Sequence, residues 1–174
     1  MCNAVRALSR INNTEDKAMK SELIREYAKE LDLIDYEISA ELQELGEKVI
    51  AKMPELSLIN EYDIKVGYVL SYEAKRDKGK STNADCRKVT GPYKAFLPFD
   101  FVITFYDPNI SHMSDNQKKV LMLHELKHIG IGDKGLRIEN HDVEDFMSIL
   151  ETHGIKWNDN GEDVADILGG DKDI

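Results

Sequence analysis

Along the chain the apolar residues switch between two rhythms. From Thr14 to Leu31, Met19, Leu23, Tyr27 and Leu31 recur every fourth residue among charges, which predicts a helix over about 15–31 behind a flexible N-terminus, residues 1–13. Ile38, Leu42, Leu45 and Val49 keep the helical period and predict a second helix over about 35–53, closed by Pro54. Stripes of this kind usually cover a domain's own core. The period then drops to two. Ile64, Val66, Tyr68, Leu70 and Tyr72 alternate with Lys65, Gly67, Val69 and Ser71, predicting a half-buried strand over about 63–72. Phe99, Phe101, Ile103 and Phe105 repeat the alternation over about 99–106, where Asp107-Pro108-Asn109 turns the chain. This strand leads almost directly into the next helix, a position from which it can line a cleft and accept an extended peptide.

That next helix, predicted over about 115–129, differs from the others. Ser114-Asp115-Asn116-Gln117 has the form of a capping box, and Val120, Leu121, Met122, Leu123, Leu126 and Ile129 make the run apolar on most sides. Into it are set His124, Glu125 and His128, an HExxH motif. Residues four apart on a helix share a face, so the two imidazoles can address one ion while Glu125 reaches a water beside it. A buried helix has little use for three such polar groups unless they are partnered. Gly130, Gly132 and Gly135 then let the chain reverse, with a brief strand at Leu136-Arg137-Ile138, before a last helix over about 142–153 capped by Asn140 or Asp142.

A catalytic zinc takes three protein ligands and keeps a fourth position open. His141, at the expected start of the last helix, is the leading third ligand, and Glu144, one turn on, is the alternative. Glu125 is the general base. A donor facing the developing oxyanion would come from Tyr93, Tyr106, Arg137 or His153. Each ligating imidazole also needs an acceptor for its other N–H, for which Asp142 is near in sequence.

HELKHIG, preceded by FDFVITFY and followed by HDVEDF, resembles the putative phage metallopeptidase family over roughly Asp63 to Trp157. The resemblance implies an α+β, minimal zincin-like fold. A small mixed or antiparallel sheet would pack on the N-terminal helices and the HExxH helix, with zinc on His124, His128 and His141. The metzincin pattern would require Gly at 131 and His at 134, where this chain has Ile131 and Lys134. The long step from His128 to His141 is similar to that of other minimal zincins, including proteases that clear DNA–protein crosslinks. The expected activity is hydrolysis of peptide bonds. Two alternatives share the motifs: a catalytically silent zinc-binding module, and a zinc hydrolase of non-peptide amides.

Composition narrows the setting. The 174 residues suffice for one domain, and no apolar run is long enough to suggest a membrane span or a signal peptide, so the cytoplasm is the expected compartment. Cys2 and Cys86 form no C-x-x-C pair, and Cys86 is a candidate reactive thiol. The net charge of −10 argues against nucleic acid covering the whole surface. Residues 75–94 nevertheless gather Lys75, Arg76, Lys78, Lys80, Arg87, Lys88 and Lys94. This basic island reads either as a solvated loop or hairpin, or as a lid that attracts an acidic or nucleic-acid-associated substrate. The tail, residues 158–174, is acidic and expected to be mobile beyond one docked turn around Val164, Ile167 and Leu168.

Overall fold

The computed structural model describes residues 35–142, 145–159, 161 and 164–169. The helix predicted over 15–31 and the N-terminus before it lie outside these residues. From Tyr36 onward the chain forms one unit with an α+β architecture.

Its frame is a four-stranded sheet in the order β1-β2-β6-β5: Tyr36–Ile38, Val66–Ser71, Phe101–Tyr106 and Ala84–Lys88. β1 runs antiparallel to β2, β2 parallel to β6, and β5 antiparallel to β6. The sheet is therefore mixed. Two hairpins complete the β content of the described residues, β3 (Arg76–Asp77) with β4 (Lys80–Ser81), and β7 (Ile129–Gly132) with β8 (Gly135–Ile138). Among the described residues the helices, in chain order, are α1 (Ala40–Lys52), α2 (Ser57–Glu61), α3 (Asp107–Ile110), α4 (Asp115–Lys127) and α5 (Met147–His153).

The two predicted strands are present, shortened at their ends to Val66–Ser71 and Phe101–Tyr106. Phe101, Ile103 and Phe105 are wholly buried on one face of β6, where they join a core with Val120, Met122 and Leu126 of α4 and Val49 of α1. Gly46 of α1 sits directly under the Tyr68 ring of β2, so the helix approaches the sheet where a larger side chain would overlap that ring.

Several boundaries differ from expectation. The helix predicted over 35–53 begins only at Ala40, because Ser39 caps it and Tyr36–Ile38 adds an edge strand to β2 instead. The strand over 99–106 is flanked by β2 and β5 on its two sides. It has no free edge, so it cannot receive a peptide by strand addition. The basic island, read as a loop or lid, supplies the β3–β4 hairpin and the edge strand β5. The motif helix stops at Lys127, and Ile129-Gly130 begin β7 rather than ending a helix. The last helix starts at Met147, not near 142, and His141 lies in the irregular stretch before it. Nor is the segment after the last helix loose throughout. Trp157 and Val164 are buried, Asn116 donates to the Val164 carbonyl at 3.2 Å, and Lys119 pairs with Asp166 at 2.8 Å.

Candidate metal centre

The centre is built on α4. Ser114 Oγ accepts from the Gln117 N–H at 3.2 Å while Gln117 Oε1 accepts from the Ser114 N–H at 2.8 Å, the reciprocal cap the sequence predicts. Gln117 has a second task. Its amide nitrogen donates to the carbonyls of Trp157 and Asp159, both at 2.9 Å, tying the segment after α5 to the start of the helix. Burial on nearly every side explains why α4 shows no clean amphipathic stripe: Val120 to Leu123, Glu125 and Leu126 are all buried.

At the other end of α4, His124 and His128 project on one face, and β7–β8 returns the chain so that His141 meets them. The Nε2 atom of His141 lies 3.1 Å from Nε2 of His124 and 3.1 Å from Nε2 of His128. The far nitrogens of His128 and His124 face other groups. His128 Nδ1 is 2.7 Å from the Glu139 carbonyl, and His124 Nδ1 is 2.7 Å from Asp145 Oδ1. A carbonyl can only accept, so His128 carries its proton on Nδ1 and presents a bare Nε2 lone pair. The Asp145 carboxylate, within ion-pair distance of Nδ1 but not aligned as a hydrogen bond, favours the same tautomer on His124. With His141 in the same tautomer three lone pairs converge, and a cation between them removes their mutual repulsion. Three imidazoles suit zinc and other borderline divalent ions, so the residues present fit a metal ion.

Phe146 closes the base of the cluster, its ring centroid 4.9–5.4 Å from the centroids of all three imidazoles. Burial pushes His128 down to about 4 and also lowers His141, where the neighbouring His124 adds to the effect. Both shifts favour the neutral imidazole that metal ligation requires. Burial acts on Glu125 in the opposite sense. The side chain is 3% exposed, its Oε2 has no hydrogen-bond partner among the described residues, and its carboxyl is pushed up to about 7. An orphaned carboxylate oxygen beside converging imidazoles is a costly arrangement that a reacting group would satisfy.

Asp145 anchors the centre from behind. Its Oδ2 accepts from the Trp157 indole N–H at 2.7 Å and its Oδ1 from the Phe146 N–H at 2.7 Å. Burial alone would raise this carboxyl, but the His124 ring and the two N–H donors hold it below the ordinary carboxylate range. The sequence reading passed over Asp145 in favour of Asp142, whose carboxylate instead accepts from the Met147 N–H at 2.9 Å. The available signal was an acidic residue four positions beyond His141, together with the chain's sole tryptophan. Glu139 serves through its carbonyl, for which no side chain gives notice.

The remaining candidates are more scattered. Glu144 lies outside the described residues. The Tyr106 hydroxyl donates to Asp85 at 3.1 Å, and Arg137 donates to Glu139 at 2.7 Å, so both are committed. Tyr93 is 65% exposed, and His153 keeps a buried Nδ1 without a partner among the described residues. Cys86 lies on β5, and burial, with Glu125 and Asp85 adding to it, pushes its thiol far up, which is the reverse of an activated nucleophile.

A family model described as putative phage metallopeptidase matches residues 34–168. The chain belongs to this family. The match spans the sheet, the motif helix and all three histidines. Searches of the curated proteins and of the solved structures give no match. No helix among the described residues is long and apolar enough to cross a membrane.

Proposed function

We propose that this member of the metallopeptidase family is a zinc peptidase, with His124, His128 and His141 as ligands and Glu125 as the general base. The observation that carries the reading is the convergence of three Nε2 atoms next to a buried, unpartnered carboxylate on the same helix. Zinc, when bound, supplies positive charge that polarises a carbonyl and acidifies water. Glu125, pushed up to about 7, accepts the proton of the attacking water near neutral pH and returns it to the leaving nitrogen. Asp145 and the Glu139 carbonyl hold His124 and His128 in the tautomer that leaves Nε2 free. For the donor to the oxyanion, the uncommitted polar atoms of Tyr93 and His153 favour these two over Tyr106 and Arg137.

The substrate seat moves from β6 to β5. Asn83 and Val89 bond to β6 through Tyr106 N and Asp100 O, so in this register the odd-numbered residues between them face β6. The N–H and C=O groups of Ala84, Cys86 and Lys88 consequently point out from the sheet's edge, where an extended peptide can pair with them. Lys88 also donates to the Leu136 carbonyl, linking this edge to the β7–β8 hairpin.

A binding module without turnover would have no reason to retain a buried carboxylate at 125. Glu125→Gln keeps the shape and cannot take the proton. It should hold zinc at parental stoichiometry and digest a peptide library at least about 100-fold more slowly, the scale of general-base catalysis. Parental turnover by the zinc-loaded variant would remove Glu125 from the reaction, and turnover confined to a panel of small amides would replace the peptide substrate.

A further inference from the structure

The face of the sheet turned away from α4 carries a second constellation. Side chains alternate along each strand, and with Phe101, Ile103 and Phe105 facing the core, Thr104 and Tyr106 face outward. The register extends this outer face in two rows, Tyr36–Ser71–Tyr106, in which Ser71 and Tyr106 are themselves buried, and Ile38–Val69–Thr104–Asp85. Tyr36 and Ile38 on the edge strand β1 are 54% and 72% exposed. Beside them a hollow of about 490 Å³ is lined by Tyr36, Glu73, Lys75, Arg76, Arg87 and Tyr106, with the Tyr36 hydroxyl donating to Glu73 at 3.4 Å.

Charge in this region runs against the rest of the chain. From Glu73 to Lys94 seven cations stand against Glu73, Asp77 and Asp85, a surplus of four positive charges in a chain of net charge −10. Asp85 is shared: its Oδ2 takes Lys75 Nζ, Arg87 Nη2 at 2.9 Å and the Tyr106 hydroxyl at 3.1 Å, so one carboxylate faces two cations. The β3–β4 hairpin then projects Arg76, Lys78 and Lys80, all exposed and in no ion pair among the described residues. Its turn is tight, with Lys78 at φ 48° and Gly79 at φ 83°, which fixes the cations on a short, stiff finger.

We propose that this outer face binds single-stranded nucleic acid. The hairpin cations take the phosphates, and the exposed Tyr36 ring, flanked by Ile38, offers a surface on which a base stacks. Cations alone would serve an acidic protein equally well. Exposed aromatic and apolar side chains at the rim of a cationic hollow are what separate the two partners, because every base has a face to stack and a carboxylate has none. Unpaired bases are needed for that contact, so a duplex should bind less well. The surface lies across the sheet from the histidines and does not depend on the peptidase reading.

Fluorescence anisotropy of a fluorescein-labelled 20-nucleotide single strand with the full chain tests the proposal at low salt. DNA and RNA of one sequence, run in parallel, would tell the two sources apart. Saturable binding is expected, weakening as salt rises. Replacing Arg76, Lys78 and Lys80 together with Ser should lower affinity at least tenfold and reduce the log–log salt slope by about 2, the value for three phosphate contacts on a single strand. Tyr36→Ala should lower affinity several-fold and leave the slope unchanged. A His124→Ala, His128→Ala double variant should bind as the parent does. The proposal is overturned by an absence of saturable binding, by parental affinity in the triple variant, or by displacement of the strand by polyglutamate as readily as by unlabelled DNA. A duplex of equal length that binds as tightly as the single strand and ignores Tyr36→Ala would overturn it as well.

Discussion

The metal centre draws on two regions of opposite character. α4 is regular, capped at Ser114 and buried over much of its surface, and it delivers His124, Glu125 and His128 by helical spacing alone. The stretch from Glu139 to Phe146 has no regular structure among its described residues, yet it contributes His141, the Glu139 carbonyl, Asp145 and the Phe146 floor. The helix sets which groups are present, and the irregular stretch sets where they point. Rigidity in the second region comes from hydrogen bonds to distant residues, Trp157 and His128 above all.

If that division holds, removing the ligand from the irregular stretch should empty the centre while sparing the fold, because the core includes no part of it before Phe146. His141→Ala is expected to weaken zinc by more than the roughly 100-fold ceiling typical of outer-shell partners, read by chelator competition, with an unchanged circular dichroism spectrum. Stoichiometric zinc in His141→Ala together with its loss in Glu144→Ala would assign the third ligand to Glu144.

On the helix side the largest cost is electrostatic. Burial raises Glu125 from an ordinary 4.5 to about 7, so the folded state binds a proton more tightly than the unfolded state. Stability from this group is full below pH 4.5 and is lost as pH rises through 7. In metal-free protein, Glu125→Gln should therefore exceed the parent in urea denaturation by about 3 kcal/mol at pH 8, with the gap closing by pH 4. His128, lowered to about 4, works in the other direction and loses its contribution as pH falls from 6.5. Both proteins retain His128, so their difference isolates Glu125. A gap of equal size at both pH values would show that the carboxyl is not the source.

The smallest effect sharpens the comparison most. Asp145→Asn keeps the shape and the bond from Trp157 but weakens the hold on His124, and zinc affinity should fall about 10- to 100-fold. An affinity within twofold of the parent would leave helix packing as the only device that orients His124.

The same contrast governs how much the sequence reveals. The capping box, the HExxH face and both alternating strands are local patterns, and all were found where their periods placed them. The limits of β1 and α1 were misread because Ile38 fits a helical stripe as well as an edge strand, and only pairing with Val69 of β2 decides between them. Asp145 was missed for a different reason. Its role depends on an indole 12 residues further on, brought close by Gln117 at the opposite end of α4. The strand β5 itself was hidden because five residues rich in charge, Ala84 to Lys88, show little of the β-propensity that marks the other strands.

Trp157 is the only tryptophan in the chain, is 3% exposed, and stands with its ring centroid 6.1 Å from that of His124. All tyrosine-free ultraviolet emission of the protein therefore originates from one indole hydrogen-bonded to the carboxylate behind the metal centre. The fold has placed its single intrinsic fluorophore within contact range of the chemistry, so the filling of the centre, the ionisation of its imidazoles and the loosening of its support can each be followed optically without a label.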